Sequence, residues 1–344
     1  MLWPLSILYR LIIALRRLAY RFGLKTVHPA SLPVIVVGNL TVGGTGKTPL
    51  CAYLVNHFKE AGWRPGIVSR GYGGQRHEKP YLVTSADSPA IVGDEPMMLS
   101  QQTDVPVCVC VKRALAVEHL AVKGDVDIVF ADDGLQHLAM ARGAEVVVID
   151  GKRGFGNGWM LPAGPLREPL ARLRNADLIA IQSTDAIHDT LTKLAQNAKA
   201  KHRADNAGGS KDILNNTFSL RVSHTLRLSD DKQKPLGDFS GQTVTAMAGI
   251  GHPERFFEAL RRAGLTLKEI PRPDHHAYTL ADLPTDSTSA VLVTSKDAVK
   301  LRALGKLPIE IYEVVTQLVA NDSLQQHVMM LERTMSSRAA AKRA

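Results

Sequence analysis

The first 59 residues of this 344-residue chain contain no aspartate or glutamate, and Glu60 is the first acid. Arg10, Arg16, Arg17, Arg21, Lys25, Lys47 and Lys59 lie in the same stretch, and the whole chain carries a formal net charge of +9. That imbalance favours an acidic partner: nucleic acid, anionic lipid or a phosphorylated substrate. Cysteine is scarce, with only Cys51, Cys108 and Cys110. An odd count without a framework argues against a disulfide-stapled scaffold and for a reducing compartment. Cys108 and Cys110 sit in VPVCVCV, which reads as a buried strand with inert thiols, since zinc sites use more ligands at other spacings. The hydrophobic fraction of 45% argues against disorder. The length fits two domains of roughly 100–200 residues each.

No long apolar run is present either. The opening segment, MLWPLSILYRLIIALRRLAYRFG, is broken by Arg10 and by Arg16-Arg17. It falls short of the ~20 apolar residues a membrane span requires. No small-residue cleavage site follows it, which speaks against a secretory signal. On a helix, Ser6, Arg10, Arg17 and Arg21 share one narrow stripe, and Leu5, Ile12, Leu15 and Leu18 lie elsewhere. Such a helix can lie in a bilayer interface with its arginines at lipid phosphates. It can also pack on the protein's own core. The lack of acids favours the membrane. The stripe has no interleaved aromatics and the chain shows no nucleic-acid motif, so no nucleic-acid partner is expected.

The pattern along the chain alternates strands and helices. Pro33–Gly38 is a β-branched run ending at glycine, and a helical stretch covers Thr48 to Ala61. Arg64–Ser69, Val105–Val111, Asp127–Ala131, Glu145–Ile149 and Asp177–Ile181 read as further strands. The alternation implies an α/β fold with a doubly wound, mostly parallel sheet. Gln196–Asn216 is polar and reads as a surface excursion or linker. A second, smaller α/β unit follows, with strands at Thr243–Ala248, Ala290–Thr294 and Ile309–Val315 and a helix at Pro253–Ala263 stopped by Gly264. The expected organisation is an amphipathic helix over 1–25, a core domain over 26–215, a smaller domain over 216–330 and a basic tail over 331–344.

The most specific signal is Gly38-Asn39-Leu40-Thr41-Val42-Gly43-Gly44-Thr45-Gly46-Lys47-Thr48, between a strand and a helix. GGTGKT in that setting is a Walker A phosphate loop. Its backbone N–H groups turn onto phosphate oxygens, Lys47 reaches the β- and γ-phosphates, and the Thr48 hydroxyl suits Mg²⁺. The usual pattern has glycine where Thr41 stands, and Gly43 and Gly44 supply the flexibility instead. The strand Asp127–Ala131 ends in Asp132-Asp133, the Walker B arrangement, which sets a carboxylate beside that Mg²⁺. A third acidic group, Asp94-Glu95 in Gly93–Pro96, reads either as a helix cap or as a catalytic base and metal contact. In the second unit, Arg272–Tyr278 is a polar turn whose His275 is a candidate to support that base.

Together the motifs resemble one family, the tetraacyldisaccharide 4'-kinases. GNLTVGGTGKTP, SRGYGG (Ser69–Gly74), VGDEP (Val92–Pro96), ADDGLQH (Ala131–His137), PAGPLRE (Pro162–Glu168), RPDHHAY (Arg272–Tyr278) and TSKDAVKL (Thr294–Leu301) occur in order. The resemblance implies a P-loop NTPase-like core with a smaller α/β domain, joined by a two-stranded linker. It implies transfer of the γ-phosphoryl group of ATP, with Mg²⁺, to the 4'-hydroxyl of a tetraacyldisaccharide 1-phosphate in lipid A biosynthesis. The expected location is the cytoplasmic face of the bacterial inner membrane, held peripherally on an anionic surface, with no obligate protein partner. By position, Asp94 matches the family's catalytic aspartate and His275 its partner, with Lys47 on the phosphates. Thr48, Glu95, Asp132 and Asp133 match the metal region. Arg70, Tyr72, Arg113, Gln136, His137, Arg167 and Glu168 match positions around the lipid headgroup. Ser295 stands where the family more often has an acid, and TSKD takes no role from the resemblance. The alternative is a membrane-associated ATPase or GTPase switch of the metal-insertion or partitioning type, which hydrolyses nucleotide without a phosphorylated product.

Overall fold

The structure is a computed structural model that describes residues 2–182, 215–285 and 290–343. The polar stretch Gln196–Asn216 lies outside the described residues except at its last two positions. The chain divides into two compact units. One holds Met1–Ser69, Lys112–Ser219 and Val319–Ala344, and the other Arg70–Val111 and Leu220–Leu318.

In the first unit, five parallel strands lie in the order Leu178–Gln182, Ala144–Asp150, Val34–Gly38, Ile128–Ala131, Pro65–Ser69. The earliest of them, Val34–Gly38, lies in the middle, with Val36 opposite Ala131 and Gly38 opposite Val147. Strands that follow it in the chain lie on both of its sides. This is the topological switch of a doubly wound sheet, and ligands bind at the carboxyl ends of strands at such a point. All five residues of VIVVG are buried, as strands covered on both faces require. The helix Lys47–Glu60 follows the phosphate loop and buries Leu50, Cys51, Leu54, Val55 and Phe58. Phe58 is fully buried and meets Phe130 edge-on at 5.2 Å between ring centres. Phe58→Ala is expected to lower the unfolding free energy by about 3–5 kcal/mol, read from denaturant unfolding. A loss below 1 kcal/mol would mean that this helix is not anchored to the sheet as described.

The opening helix, Trp3–Arg21, forms as expected, but its polar stripe is divided. Ser6 is buried and donates to the Met160 carbonyl at 2.7 Å. The Tyr9 hydroxyl donates to the Arg167 carbonyl at 3.2 Å, and Arg16 donates to the Gln136 carbonyl at 3.1 Å. Arg10 and Arg21 are exposed. So are Leu5, Leu8, Leu11, Ile12, Leu15, Leu18 and Phe22. The helix therefore anchors itself to its own unit through polar groups and leaves its leucines outside. Desolvated hydroxyls need partners, and carbonyls at 160 and 167 supply them.

The closing segment also differs from the expected basic tail. Asp322–Arg343 is one helix within the first unit. Leu324, Val328, Leu331 and Met335 recur at helical spacing and are buried. Trp63 Nε1 donates to Glu332 at 3.0 Å.

In the second unit, Thr266–Pro271, Thr243–Ala248, Val291–Thr294 and the start of Ile311–Ala320 form a parallel sheet in that order. Phe239, Phe257, Leu260 and Tyr312 pack among the buried residues of one cluster, and Met247, Val293, Leu301 and Ile311 among those of another. Residues 70–111, which the sequence reading puts in the core domain, belong to this unit. The cause is helix packing: Asp94–Thr103 lies against Ser295–Arg302. Cys51, Cys108 and Cys110 are buried free thiols.

Candidate functional site

In the first unit the chain leaves Val34–Gly38 and turns through the phosphate loop into Lys47–Glu60. Gly43 and Gly46 take φ of +97° and +76°, a region L side chains rarely adopt. A buried asparagine braces the turn. Asn39 Nδ2 donates to Thr45 Oγ1 at 3.0 Å, and Asn39 Oδ1 accepts from Lys47 Nζ at 3.4 Å. Thr41 is buried and bridges to Leu166. The Thr48 hydroxyl donates to Asp132 Oδ2 at 3.3 Å across 84 residues of sequence.

Asp133 collects cations. Lys47 Nζ lies 3.5 Å from its carboxylate, Arg167 Nη1 reaches both carboxylate oxygens at 3.3 Å, and Arg113 donates to its backbone carbonyl at 3.0 Å. Burial opposes its ionisation, but Lys47, Arg167 and Arg113 outweigh that and hold the carboxyl below its usual range. Gln136 Nε2 donates to the Asn39 carbonyl at 3.0 Å and to Glu168 Oε1 at 3.1 Å. Glu168 is buried beside Arg172 at 3.4 Å. His137 occupies the same turn, where its carbonyl accepts from Arg142. Thr41, Lys47, Thr48, Arg113, Asp132, Asp133, Gln136, Arg167 and Glu168 thus share one region of the first unit.

The second unit assembles another cluster. Asp94 opens the helix Asp94–Thr103 and is 4% exposed, with its Oδ2 3.0 Å from His275 Nδ1. The two residues are 181 positions apart in the chain. His275 sits at a positive φ of 58°, and Tyr72 packs edge-on against its ring at 4.9 Å. Gly74 touches the Gly93 backbone where a Cβ would collide, which seats SRGYGG against the start of the Asp94 helix. Arg70, from the same motif, is exposed.

Two lysines missed by the sequence reading stand behind this pair. Lys296 Nζ lies 3.8 Å from Asp94, 3.5 Å from Glu95 and 3.2 Å from Asp274. Lys300 Nζ lies 3.8 Å from Asp94 and 3.1 Å from Asp297. Burial works against the charge of Lys296, but Glu95, Asp94 and Asp274 together raise its pKa above the usual value. Their i, i+4 spacing in TSKDAVKL places both on one helix face, which was the available signal.

Among the described residues, no three His, Cys, Asp or Glu side chains converge as a metal cage. A magnesium ion on a phosphate loop does not need one, since it is held by a hydroxyl, a carboxylate, phosphate oxygens and water. The Thr48–Asp132 pair has that chemistry.

A doubly wound parallel sheet with a glycine-rich loop at its switch point, a lysine and threonine at the start of the following helix, and an aspartate-tipped neighbouring strand defines a P-loop NTPase-like protein. The model of the tetraacyldisaccharide-1-P 4'-kinase family, LpxK, matches residues 1–333, and the chain belongs to that family. It is 42% identical over 313 residues to the tetraacyldisaccharide 4'-kinase of Hahella chejuensis, covering 89% of this chain and 85% of that one. The kinase of Psychrobacter arcticus is 41% identical over 313 residues, covering 88% and 78%. The crystal structure of LpxK from Aquifex aeolicus in complex with ATP superposes with a TM-score of 0.74 at 26% identity, covering 97% of this chain and 98% of that one. Membership decides for a kinase over the nucleotide-hydrolysing switch.

Proposed function

We propose that this kinase moves the γ-phosphoryl group of ATP to the 4'-hydroxyl of a tetraacyldisaccharide 1-phosphate, with Asp94 as the base that receives the hydroxyl proton. The observation that supports this most directly is the buried Asp94 carboxylate held 3.0 Å from His275 Nδ1. A phosphotransferase needs little covalent chemistry from its protein. It needs an oriented acceptor and compensated charge. His275 orients Asp94, and Lys296 and Lys300 hold the same carboxylate from behind. Lys47 neutralises charge on the phosphates. Thr48 and Asp132 would hold Mg²⁺, which would supply Lewis-acid compensation of phosphate charge. Asp133, already engaged by Lys47 and Arg167, fixes those two cations, and Glu95 is held by Lys296. Arg113, Gln136, His137, Arg167 and Glu168, with Arg70 and Tyr72, receive the polar headgroup of the lipid. Mass spectrometry of the lipid after incubation with protein, ATP and Mg²⁺ tests the reaction. One added phosphoryl group supports it, and inorganic phosphate with unchanged lipid contradicts it.

The protein works on the cytoplasmic face of the inner membrane, in this reading, held there by its opening helix. Among the described residues no helix is long and apolar enough to cross a membrane. Support comes from the exposed leucines of Trp3–Arg21 beside the exposed Arg10, Arg21 and Lys25. Reversing Arg10 and Arg21 to glutamate is expected to release the protein from anionic vesicles at low salt, because each basic group contributes about 1 kcal/mol near such a surface. Removing residues 2–23 should release it at any salt. Co-sedimentation with vesicles unchanged in both variants would rule out the interfacial helix.

A further inference from the structure

One cation beside the phosphate loop has no place in the reading above. The strand Ala144–Asp150 neighbours Val34–Gly38 on the side away from Ile128–Ala131. The chain turns sharply at its end. Asp150 Oδ1 accepts the backbone N–H groups of Lys152 at 3.0 Å and Arg153 at 3.1 Å, and Gly154 N donates to the Asp150 carbonyl at 2.7 Å. That turn fixes the Arg153 backbone beside the loop. The Arg153 guanidinium then lies on the loop itself. Its Nη2 donates to the Val42 carbonyl at 3.2 Å, and its Nη1 stands 2.7 Å from where a Cβ on Gly43 would be. A side chain at 43 would displace the guanidinium, and the φ of +97° there favours glycine.

We propose that Arg153 is an arginine finger supplied in cis, which contacts the phosphoryl groups of ATP and compensates the charge that develops during transfer. The inference rests on the phosphate-loop reading of GGTGKT. Three features of the site carry it. The loop is flanked on its Ile128–Ala131 side by Asp132 and Asp133, and Lys47 is drawn to that side by Asp133 at 3.5 Å. Arg153 brings positive charge from the other side, at the glycine where the backbone opens. A guanidinium presents a planar fork of N–H donors that matches phosphate oxygens, and its charge is permanent. Charge spread over three equatorial oxygens is better met from two sides than from one. The Asp150 turn also holds the Arg153 backbone in place, and preorganised charge needs little rearrangement at the moment of reaction.

A scaffold role for Arg153, bracing the loop through Val42, gives different kinetics. Loss of a brace weakens ATP binding, whereas loss of a finger lowers turnover. The test is steady-state kinetics of Arg153→Ala and Arg153→Lys, with Lys47→Ala as reference, together with binding of ATP, ADP and ADP–aluminium fluoride. The expected result is a fall of about 10²-fold in kcat for Arg153→Ala, with KM for ATP changed by less than about threefold. Arg153→Lys should recover part of the loss. Affinity for ADP–aluminium fluoride, a mimic of the transferring group, should fall with kcat while ADP affinity holds. Unchanged kcat, a rise in KM alone, or loss of ATP binding in both Arg153 variants would overturn the proposal. If Lys47→Ala stays impaired in those cases, the phosphate-loop reading stands without Arg153. If Lys47→Ala is also active, that reading falls with it.

Discussion

Replacing Asp94 with asparagine is expected to lower turnover by about 10²–10⁴, the range of general-base catalysis, with little loss of ATP affinity. The amide keeps the size of the carboxyl and one accepting oxygen, but it cannot accept the proton of the sugar hydroxyl. Asp94 is buried at the first turn of its helix and is met by His275 Nδ1, Lys296 and Lys300 on one carboxylate oxygen. The other oxygen, Oδ1, accepts the Glu95 backbone N–H at 3.0 Å. An asparagine oxygen can retain one of these partners, so the helix start should survive. Normal turnover in this variant would remove the base assignment.

Lys47→Ala is expected to lower turnover by about 10²–10³, the loss typical of one preorganised electrostatic contact. The ammonium is positioned by two groups, 3.4 Å from Asn39 Oδ1 and 3.5 Å from Asp133. Removing it leaves Asp133 paired with Arg167, so the carboxylate keeps a cationic partner and the loss reports the missing ammonium. The measurement is kcat at saturating ATP. Retention of near-normal kcat would mean that the loop does not hold the transferring phosphates.

The parts legible in the sequence were those written locally. Val34–Gly38, the glycine loop and the helix from Lys47 are contiguous, and their order dictates the switch point. The place of Asp132 beside the loop was legible because an apolar strand ending in acid next to a phosphate loop is the Walker B arrangement. The Asp94–His275 pair was different. The residues alone leave Asp94 open as a helix cap and make His275, 181 positions away, no more than a candidate to support it; the family resemblance pairs the two. Lys296 and Lys300 are hidden in TSKDAVKL because their role lies in the shared helix face and not in a motif. Asn39 and Arg153 are hidden because their contacts form only on the folded loop, which no composition reveals. The grouping of residues 70–111 was missed for a related reason: the packing of Asp94–Thr103 on Ser295–Arg302 joins segments far apart in sequence. In the final helix, the Leu324–Met335 stripe was readable in principle, but the alanine and basic residues that follow it drew the reading to a tail.

The double-mutant cycle of Asp94→Asn and His275→Ala tests the central claim most directly. Turnover and ATP affinity are measured for the two single variants and the double. Residues that act as one unit are not additive. The double variant is therefore expected to lose much less than the product of the two single losses, at ATP affinity close to that of the unmodified protein. Losses that multiply would contradict the account, because Asp94 and His275 would then act independently.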